Sequence, residues 1–277
     1  PKMRVNGKLI TMDFDRLMPA DTVLLLDEIM NDYQKECFEK NGEYDMSFSI
    51  IGQGRYRANA YKQRGSVALA LRVVGTHVPS AESLGLPPSV IDLYQRKRGL
   101  VLVTGPTGSG KSTTLAAIID KINSSRECHV ITLEDPIEYL HQHRLSMVNQ
   151  REIGLDSKNY ATALRAALRE DPDVILVGEM RDFETISVAI TAAETGHLVL
   201  SSLHTIGAAS TVDRVIDVFP SHQQQQIRVQ FANVLEAVVS QQLIPKADGS
   251  GRVAAFEVLH ANHAVRNLIR EAKSHQL

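Results

Sequence analysis

A glycine-rich segment constrains this chain more than any other feature of its sequence. Residues 105–112 read Gly-Pro-Thr-Gly-Ser-Gly-Lys-Ser and follow directly on the apolar run Leu100 to Val103. The pattern GxxxxGK[ST] predicts a phosphate-binding loop where it joins a buried strand to the start of a helix. A glycine-rich turn with a surface lysine is the alternative, but it leaves the flanking apolar and helical patterns unexplained. The sequence therefore predicts a nucleotide-binding site.

The residues of this loop have distinct predicted roles. Its glycines allow successive backbone N–H groups to point at phosphate oxygens, and the helix N-terminus adds a partial positive charge. Lys111 places its charge near the β and γ phosphates, and Ser112 holds Mg²⁺. The predicted nucleotide-binding residues are Gly105, Pro106, Thr107, Gly108, Ser109, Gly110, Lys111, Ser112 and Thr113.

Acidic residues follow two further apolar runs. The run at 174–177 leads to Glu179, which we predict as a second magnesium ligand that acts through water, with a solvated surface carboxylate as the alternative. The run at 130–133 leads to Glu134, Asp135 and Glu138. Hydrolysis requires a group that orients and activates a water molecule, so we expect at least one of these three to face the γ-phosphate. Their spacing alone does not distinguish them.

Two histidines flank another apolar run, Leu198 to Ser202. A central parallel strand directs its carboxyl end at the ligand crevice, so His204, which follows the run, is better placed than His197, which precedes it. A single histidine is more often a structural group, and the pattern alone gives neither residue a catalytic role.

Arginines cluster in the first part of the chain. Arg55, Arg57, Arg64 and Arg72 lie on adjoining predicted strands, and period-two alternation places Arg55 and Arg57 on one face. A guanidinium that reaches a bound triphosphate can raise the rate of hydrolysis by about 10³ to 10⁵. Most surface arginines have no such role, so the cluster is a candidate only.

From residue 99 onward, short apolar runs alternate with segments of helical periodicity. Runs that are apolar throughout are typical of a parallel sheet buried on both faces. We therefore predict an α/β domain over 99–277. Its predicted helices include Lys111 to Asn123 and Ser221 to Val239, and a strand is predicted from Gln241 to Ile244. The apolar runs lie at 100–103, 130–133, 174–177 and 198–201.

Residues 1–78 predict a small α+β domain of different character. Helical spacing covers Pro19 to Glu39, and three alternating segments then indicate an antiparallel meander. These segments are Asp45 to Ile51, Gly54 to Lys62 and Ser66 to Val74, with a further strand pair at Arg4 to Ile10. The predicted turns lie at Asn6-Gly7, Gly52 and Arg64-Gly65. The stretch from Gly75 to Ser89 lacks periodicity and contains Pro79, Gly85, Pro87 and Pro88. Residues 79–98 are therefore predicted to be a linker with an entry helix at Val90 to Arg96.

Composition narrows the classes of partner and site. Thirty basic residues nearly balance 32 acidic ones, so the whole molecule has no positive field that would attract nucleic acid or anionic lipid. Two cysteines, Cys37 and Cys128, have no metal-binding spacing and fit a reducing compartment. The apolar runs are far shorter than the roughly 20 residues that cross a bilayer. We expect a cytoplasmic protein without a transmembrane segment, trimmed at its start because it opens on Pro1.

Five motifs in order resemble those of the secretion ATPase superfamily, and within it the type IV pilus retraction ATPases of twitching motility. The likeness extends through nearly the whole chain and includes 264–271, which resembles the tract that the retraction branch requires for pulling. The motifs are Gly105 to Thr113, Thr132 to Tyr139, Val177 to Asp182, Thr195 to His197 and Ser202 to Thr205.

This resemblance implies an architecture and an activity. It implies a RecA-like P-loop NTPase motor domain preceded by a PAS-like domain, assembled as a homohexamer with ATP sites near subunit boundaries. The implied activity is hydrolysis of Mg-ATP to drive pilus retraction, that is, pilin depolymerisation. The implied partners are the inner-membrane platform protein and the pilus machinery, which would hold the ATPase at the membrane periphery. Direct binding of nucleic acid is not expected.

The resemblance also assigns roles to individual residues. Glu138 matches the catalytic glutamate, and Glu179 matches the Walker B acid. His197 and His204 match the histidine-box positions that sense or contact the γ-phosphate side. Arg57 and Arg72 align with arginines that the family's N-terminal domain extends toward the nucleotide, and Arg64 is a weaker match.

Some features depart from the family pattern or favour other functions. Thr205-Ile206-Gly207 stands where the family often has Asn-Ser, so polar contacts near His204 are expected to differ. The chain ends soon after residues 264–271, which predicts truncation. A pilus extension or type II secretion ATPase is the first alternative, although two cysteines cannot build the four-cysteine zinc module of those relatives. A nucleic-acid translocase and a non-hydrolysing nucleotide-gated adaptor are further alternatives; near-neutral charge disfavours the former and the paired Glu138 and Glu179 disfavour the latter.

Overall fold

The chain folds into two compact units, Pro1–Gly75 and Thr76–Leu277. A computed structural model describes residues 1–5, 8–51, 53–75, 77–248 and 251–277. The predicted turns at Asn6-Gly7 and Gly52 lie outside the described residues.

The first unit combines two helices with antiparallel strands. Strands β1 and β2 pair with each other, and β3, β4 and β5 form a three-stranded meander. Its elements are β1 (Lys2–Val5), β2 (Lys8–Thr11), α1 (Pro19–Ile29), α2 (Asp32–Asn41), β3 (Glu43–Ile50), β4 (Gly54–Gln63) and β5 (Ser66–Val73). The predicted strand pair and meander are therefore confirmed.

The helical pattern over Pro19 to Glu39 proves to be two helices and not one. The side chain of Asn31 accepts a hydrogen bond from the backbone N–H of Gln34 at 2.9 Å, and the Gln34 side chain accepts from the Asn31 N–H at 3.0 Å. This reciprocal cap begins α2 and fixes an extended backbone at Asn31. Leu26 and Phe38, one on each helix, then pack into the same small core.

The second unit is built around a seven-stranded sheet. Its strands are β6 (Gly99–Thr104), β7 (His129–Glu134), β8 (Met147–Glu152), β9 (Val174–Val177), β10 (Leu198–Leu203), β11 (Leu235–Pro245) and β12 (Arg252–His260). Its α-helices are α3 (Pro88–Ile91), α4 (Lys111–Ser125), α5 (Tyr160–Ala167), α6 (Phe183–Glu194), α7 (Ala208–Asp217), α8 (Ser221–Val234) and α9 (His263–Arg270). Two 3₁₀ turns cover Asp92–Gln95 and Ser274–Gln276.

The strands lie in the order β12-β11-β6-β10-β9-β7-β8. All neighbours are parallel except β11 and β12, which form an antiparallel pair at one edge. Every residue of β6, β9 and β10 is buried, because helices cover both faces. The prediction of a parallel sheet from continuous apolar runs is confirmed.

The segment predicted as a linker belongs to the second unit. Leu86, Val90 and Leu93 are buried and pack in the same core as β6 and α4. The predicted helix at Val90 to Arg96 begins earlier, at Pro88, and continues as the 3₁₀ turn Asp92–Gln95. The described structure therefore replaces the linker 79–98 with a packed part of the second unit, and the division falls after Gly75 and not after residue 78.

Two strands differ from the sequence prediction. The helix expected to reach Val239 ends at Val234, and β11 starts at Leu235, where Val238 and Val239 pair with β6 in the sheet. β-Branched side chains fit a sheet well, so tertiary pairing overrides the helical pattern there. The whole of β8 was missed, because its sequence Met-Val-Asn-Gln-Arg-Glu has no apolar run.

Among the described residues, the structure has no helix that combines the length and the apolar character that a membrane crossing requires.

Asp182 caps α6, and this cap can be tested. Its Oδ1 accepts the Thr185 N–H and its Oδ2 accepts the Thr185 hydroxyl, each at 2.8 Å. We expect Asp182→Ala to lower the free energy of unfolding by about 1 kcal/mol in urea titrations, because a backbone donor loses its partner. Asp182→Asn keeps an acceptor and serves as the control. Equal losses in both variants would contradict the capping role.

Candidate active site

The predicted phosphate loop joins β6 to α4, and β6 lies between β10 and β11 in the sheet. The backbone at Gly105 has φ of 142°, and a Cβ atom there would stand 2.2 Å from the carbonyl oxygen of Gln241. Only glycine fits such a backbone and such a close approach. The loop is therefore held tightly against β11.

Lys111, the first residue of α4, folds its side chain back over the loop. Its Nζ donates to the carbonyl oxygens of Gly105 at 2.8 Å and Pro106 at 3.0 Å. Burial lowers the pKa of Lys111, while the negative charges of Glu179 and Glu138 oppose that shift. The structure thus brings the predicted lysine and both predicted carboxylates into one electrostatic cluster.

Ser112 joins the loop to residues 135–141, which follow β7 and are called the acidic segment below. Its hydroxyl donates to Oε1 of Glu138 at 3.0 Å, and the neighbouring Thr113 hydroxyl lies 3.0 Å from the phenol oxygen of Tyr139. Ser112 was predicted to share a magnesium ion with Glu179, but its hydrogen-bonded carboxylate in this structure is Glu138. The sequence reasoning did not anticipate this direct contact.

These oxygen atoms suit Mg²⁺ in the way that nucleotide enzymes hold it. The described residues contain no cluster of three or more acidic, histidine or cysteine side chains that could cage a metal ion. Magnesium bound by a hydroxyl, a carboxylate and substrate phosphates needs no such cage. Ser112, with Glu179 through water, would therefore complete the coordination only together with phosphate oxygens.

Glu179 lies just beyond β9 and is tied to His204. Its Oε1 lies 2.9 Å from Nε2 of His204, and it also accepts from Nε of Arg181. Nδ1 of His204 lies 3.5 Å from the Thr107 hydroxyl of the phosphate loop. His204 thus stands between the loop and Glu179, which agrees with its predicted position at the carboxyl end of β10.

His197 lies at the opposite end of the same strand. Its Nδ1 contacts the carbonyl oxygen of Ala192 at 2.9 Å and the Thr195 hydroxyl at 3.2 Å. Its own carbonyl accepts from the N–H of Gly99, where β6 begins. Since a six-residue strand spans about 20 Å, the structure does not bring His197 to the loop of its own chain. Of the two histidines, only His204 contacts the phosphate loop of its own chain.

Glu134 and Glu138 have different surroundings although both follow β7. The Glu134 carboxylate accepts from the Thr132 hydroxyl at 2.7 Å, from Nε2 of Gln150 at 3.2 Å and from the Glu138 N–H at 3.4 Å. Burial raises the pKa of Glu134. Glu138 is exposed and touches the loop through Ser112. The geometry therefore favours Glu138 as the residue that faces a bound nucleotide.

Two side chains of β8 hold the acidic segment in place. Gln150 donates to the Tyr139 carbonyl at 2.9 Å and accepts from the His141 N–H at 2.8 Å. Glu152, which is buried, accepts from the Ile137 N–H at 3.1 Å. Sequence reasoning gave neither residue a role in the site, because the strand that carries them is polar and has no apolar run.

The loop after His204 is anchored by neighbouring elements. The Thr205 and Thr211 hydroxyls lie 2.6 Å apart, and the Gly207 N–H donates to Ser240 of β11 at 2.9 Å. The sequence Thr205-Ile206-Gly207 therefore forms contacts of its own where the family often has Asn-Ser.

The predicted arginines lie in the first unit, on its three-stranded sheet. Arg57 of β4 and Arg72 of β5 are directly paired across the two strands. Arg64 is exposed in the turn between them, with φ of 51°. The structure thus brings Arg57 and Arg72 together on one face and leaves Arg64 apart.

Comparison with known families gives a match over most of the chain. The profile of the family described as Type II/IV secretion system protein matches residues 80–276. The chain belongs to this family.

Two relatives match this secretion-system protein along the whole of its 277 residues. A twitching motility protein of Neisseria gonorrhoeae is 48% identical over 277 residues, which cover 100% of this chain and 74% of the relative. PilT of Pseudomonas aeruginosa, a type IV pilus retraction ATPase, is also 48% identical over 277 residues, covering 100% of this chain and 80% of the relative.

A solved structure has a fold similar to that of this chain. The crystal structure of the pilus retraction motor PilT with bound ADP has a TM-score of 0.95 and 53% sequence identity. The match covers 100% of this chain and 80% of that one. The α/β fold with a largely parallel sheet is thus shared with a nucleotide-binding motor.

The buried carboxyl of Glu134 predicts a pH dependence of stability. Because burial raises its pKa in the folded chain, Glu134 keeps a proton there at pH values where the unfolded chain, with a pKa near 4.5, has lost it. The free energy of unfolding should therefore fall as pH rises from about 4.5 through the raised value. Glu134→Gln lacks this titration. Urea unfolding at several pH values should show the wild type losing stability relative to the variant, and parallel curves would contradict this account.

Proposed function

We propose that the chain is a Mg²⁺-dependent ATPase motor that drives type IV pilus retraction. The contact between Ser112 of the phosphate loop and Glu138 of the acidic segment carries this proposal, because it joins a phosphate site to a candidate general base. The chain is similar over its full length to a twitching motility protein and a pilus retraction ATPase, and this similarity supports retraction as the direction in which the motor acts.

The chain's own residues account for binding and activation of the nucleotide. The loop N–H groups and Lys111 hold the phosphates, and Ser112 with Glu179 would hold Mg²⁺. When bound, the metal ion neutralises charge on the phosphate oxygens. Glu138 orients the attacking water and accepts its proton. If the Ser112 hydroxyl binds Mg²⁺, its hydrogen bond to Glu138 must break or must form beside the metal ion. Nucleotide binding would therefore rearrange the contact between Ser112 and Glu138.

His204 fits a role as a sensor of the terminal phosphate. It lies between Thr107 of the loop and Glu179, at 3.5 Å and 2.9 Å respectively. A change of charge at the γ-phosphate would alter both contacts at once. Hydrolysis could thereby move the loop that follows His204, which is tied to β11 through Gly207 and Ser240.

The arginine pair of the first unit fits an assembled motor. Like charges that face each other across two strands destabilise a sheet unless an anion lies nearby. Arg57 and Arg72 form such a pair. In this proposal the PAS-like first unit presents both arginines to a nucleotide bound by a RecA-like second unit within a homohexamer, and Arg57 and Arg72 stabilise charge in the transition state.

The cellular setting is part of the same proposal. The protein acts in the cytoplasm and docks, as a ring, on the inner-membrane platform of the pilus machinery. ATP hydrolysis changes the arrangement of its units, and this movement removes pilin subunits from the base of the pilus. His197, at the far end of β10, has no part in the chemistry of its own chain.

Replacing Lys111 tests the nucleotide site. We expect Lys111→Ala to abolish ATP turnover in a steady-state phosphate-release assay, because the phosphates lose their cation. Lys121→Ala is a matched control on the same helix, since Lys121 pairs with Glu82 on the surface. In a host that lacks its own retraction ATPase, wild type and Lys121→Ala should restore surface motility and Lys111→Ala should not. Turnover by Lys111→Ala at the wild-type rate would refute the site, and active ATPase without motility would refute retraction.

Replacing Glu138 separates chemistry from binding. We expect Glu138→Gln to lower the single-turnover rate of ATP hydrolysis by about 10² to 10⁴, because the amide cannot accept the proton. The affinity for Mg-ADP should change little, since Glu138 contacts no phosphate in the proposed mechanism. An unchanged single-turnover rate would move the base to Asp135, the neighbouring exposed carboxylate.

A further inference from the structure

Gln241 of β11 is buried beneath the phosphate loop, and nothing in the sequence motifs points to it. Its side-chain Nε2 donates to the Ser109 carbonyl oxygen at 2.7 Å. Its Oε1 accepts from the Thr114 hydroxyl, also at 2.7 Å. The residue is 3% exposed. One amide group therefore spans the end of the loop and the first turn of α4.

The backbone of the loop also packs directly on this residue. A Cβ atom at Gly105 would stand 2.2 Å from the Gln241 carbonyl oxygen, and one at Gly110 would stand 2.8 Å from its Nε2. Both ends of the loop thus meet Gln241. A displacement of its side chain would leave the Ser109 carbonyl without its donor.

The bond to Ser109 fixes the direction of a peptide group. In a planar trans peptide, the carbonyl oxygen of one residue and the N–H of the next point to opposite sides. Because the Ser109 carbonyl faces Gln241, the Gly110 N–H faces away from β11, into the loop. Loop N–H groups are the donors that bind phosphate oxygens.

Only an amide at this position satisfies both neighbours. The Ser109 carbonyl can only accept a hydrogen bond, and the Thr114 hydroxyl donates, so the side chain needs a donor and an acceptor on the same terminal group. A carboxylate would set a negative oxygen against the Ser109 carbonyl. A methionine of similar length would leave both groups without a partner.

We infer that Gln241 is a positioning residue that orients the Ser109–Gly110 peptide so that the Gly110 N–H binds phosphate. This inference rests on the proposed ATPase function. The adjacent Ser240 holds the loop after His204 through the Gly207 N–H, so the middle of β11 supports both that loop and the phosphate loop.

Measurements of nucleotide affinity and of the thermal stabilisation by nucleotide test this role. Calorimetric titration of the full chain with Mg-ADP should give a Kd about tenfold or more weaker for Gln241→Met than for the wild type, and the rise in Tm on adding Mg-ADP should shrink accordingly. The KM for ATP should rise by about the same factor, with kcat within about threefold, because the peptide binds phosphate before and during hydrolysis. Gln242→Met is the matched control, since this neighbouring glutamine is exposed.

A second pair of variants keeps the test decisive if Gln241→Met fails to fold. Thr114→Val removes the hydroxyl that holds the amide and should weaken Mg-ADP binding, whereas Thr114→Ser keeps it and should restore wild-type affinity. A wild type that binds Mg-ADP together with unchanged affinities in Gln241→Met, or in Thr114→Val, would overturn the inference and leave the ATPase proposal intact. A wild type that binds no Mg-ADP would overturn both.

Discussion

Parallel pairing of the central strands decides where the chemistry of this protein can lie. Strands β6, β10, β9 and β7 run side by side in one direction, so their carboxyl ends meet at one edge of the sheet. The phosphate loop, His204, Glu179 and the acidic segment each follow one of these strands. A sequence order that scatters these groups over a hundred residues thereby becomes a single site.

The site is held by polar side chains that sequence motifs do not contain. Gln150 and Glu152 of β8 bind the backbone of the acidic segment, and Gln241 of β11 binds the phosphate loop. Each is buried or half-buried and bonded to backbone groups, which need partners once water is excluded. The side chains at the loop ends keep their geometry because these polar contacts hold the loops in place.

The two histidines and the three carboxylates show how far sequence reasoning reaches. Strand direction alone favoured His204 over His197, and the structure agrees, since only His204 adjoins the loop. Spacing could not choose among Glu134, Asp135 and Glu138, because the choice depends on which side chain faces the phosphate loop. Contacts with Thr132 and Gln150 turn Glu134 inward, and the Ser112 hydroxyl meets Glu138.

The sequence by itself determined the loop, the parallel sheet and the order of the motifs, because glycine spacing, apolar runs and helix caps act over a few neighbouring residues. Tertiary structure decided the start of β11 at Leu235, the existence of the polar strand β8 and the packing of residues 79–98 into the second unit. It also decided the partners of Ser112, Glu134 and Gln241. These outcomes depend on groups far apart in the chain that compete for the same hydrogen bonds and the same buried space, and no local pattern records that competition.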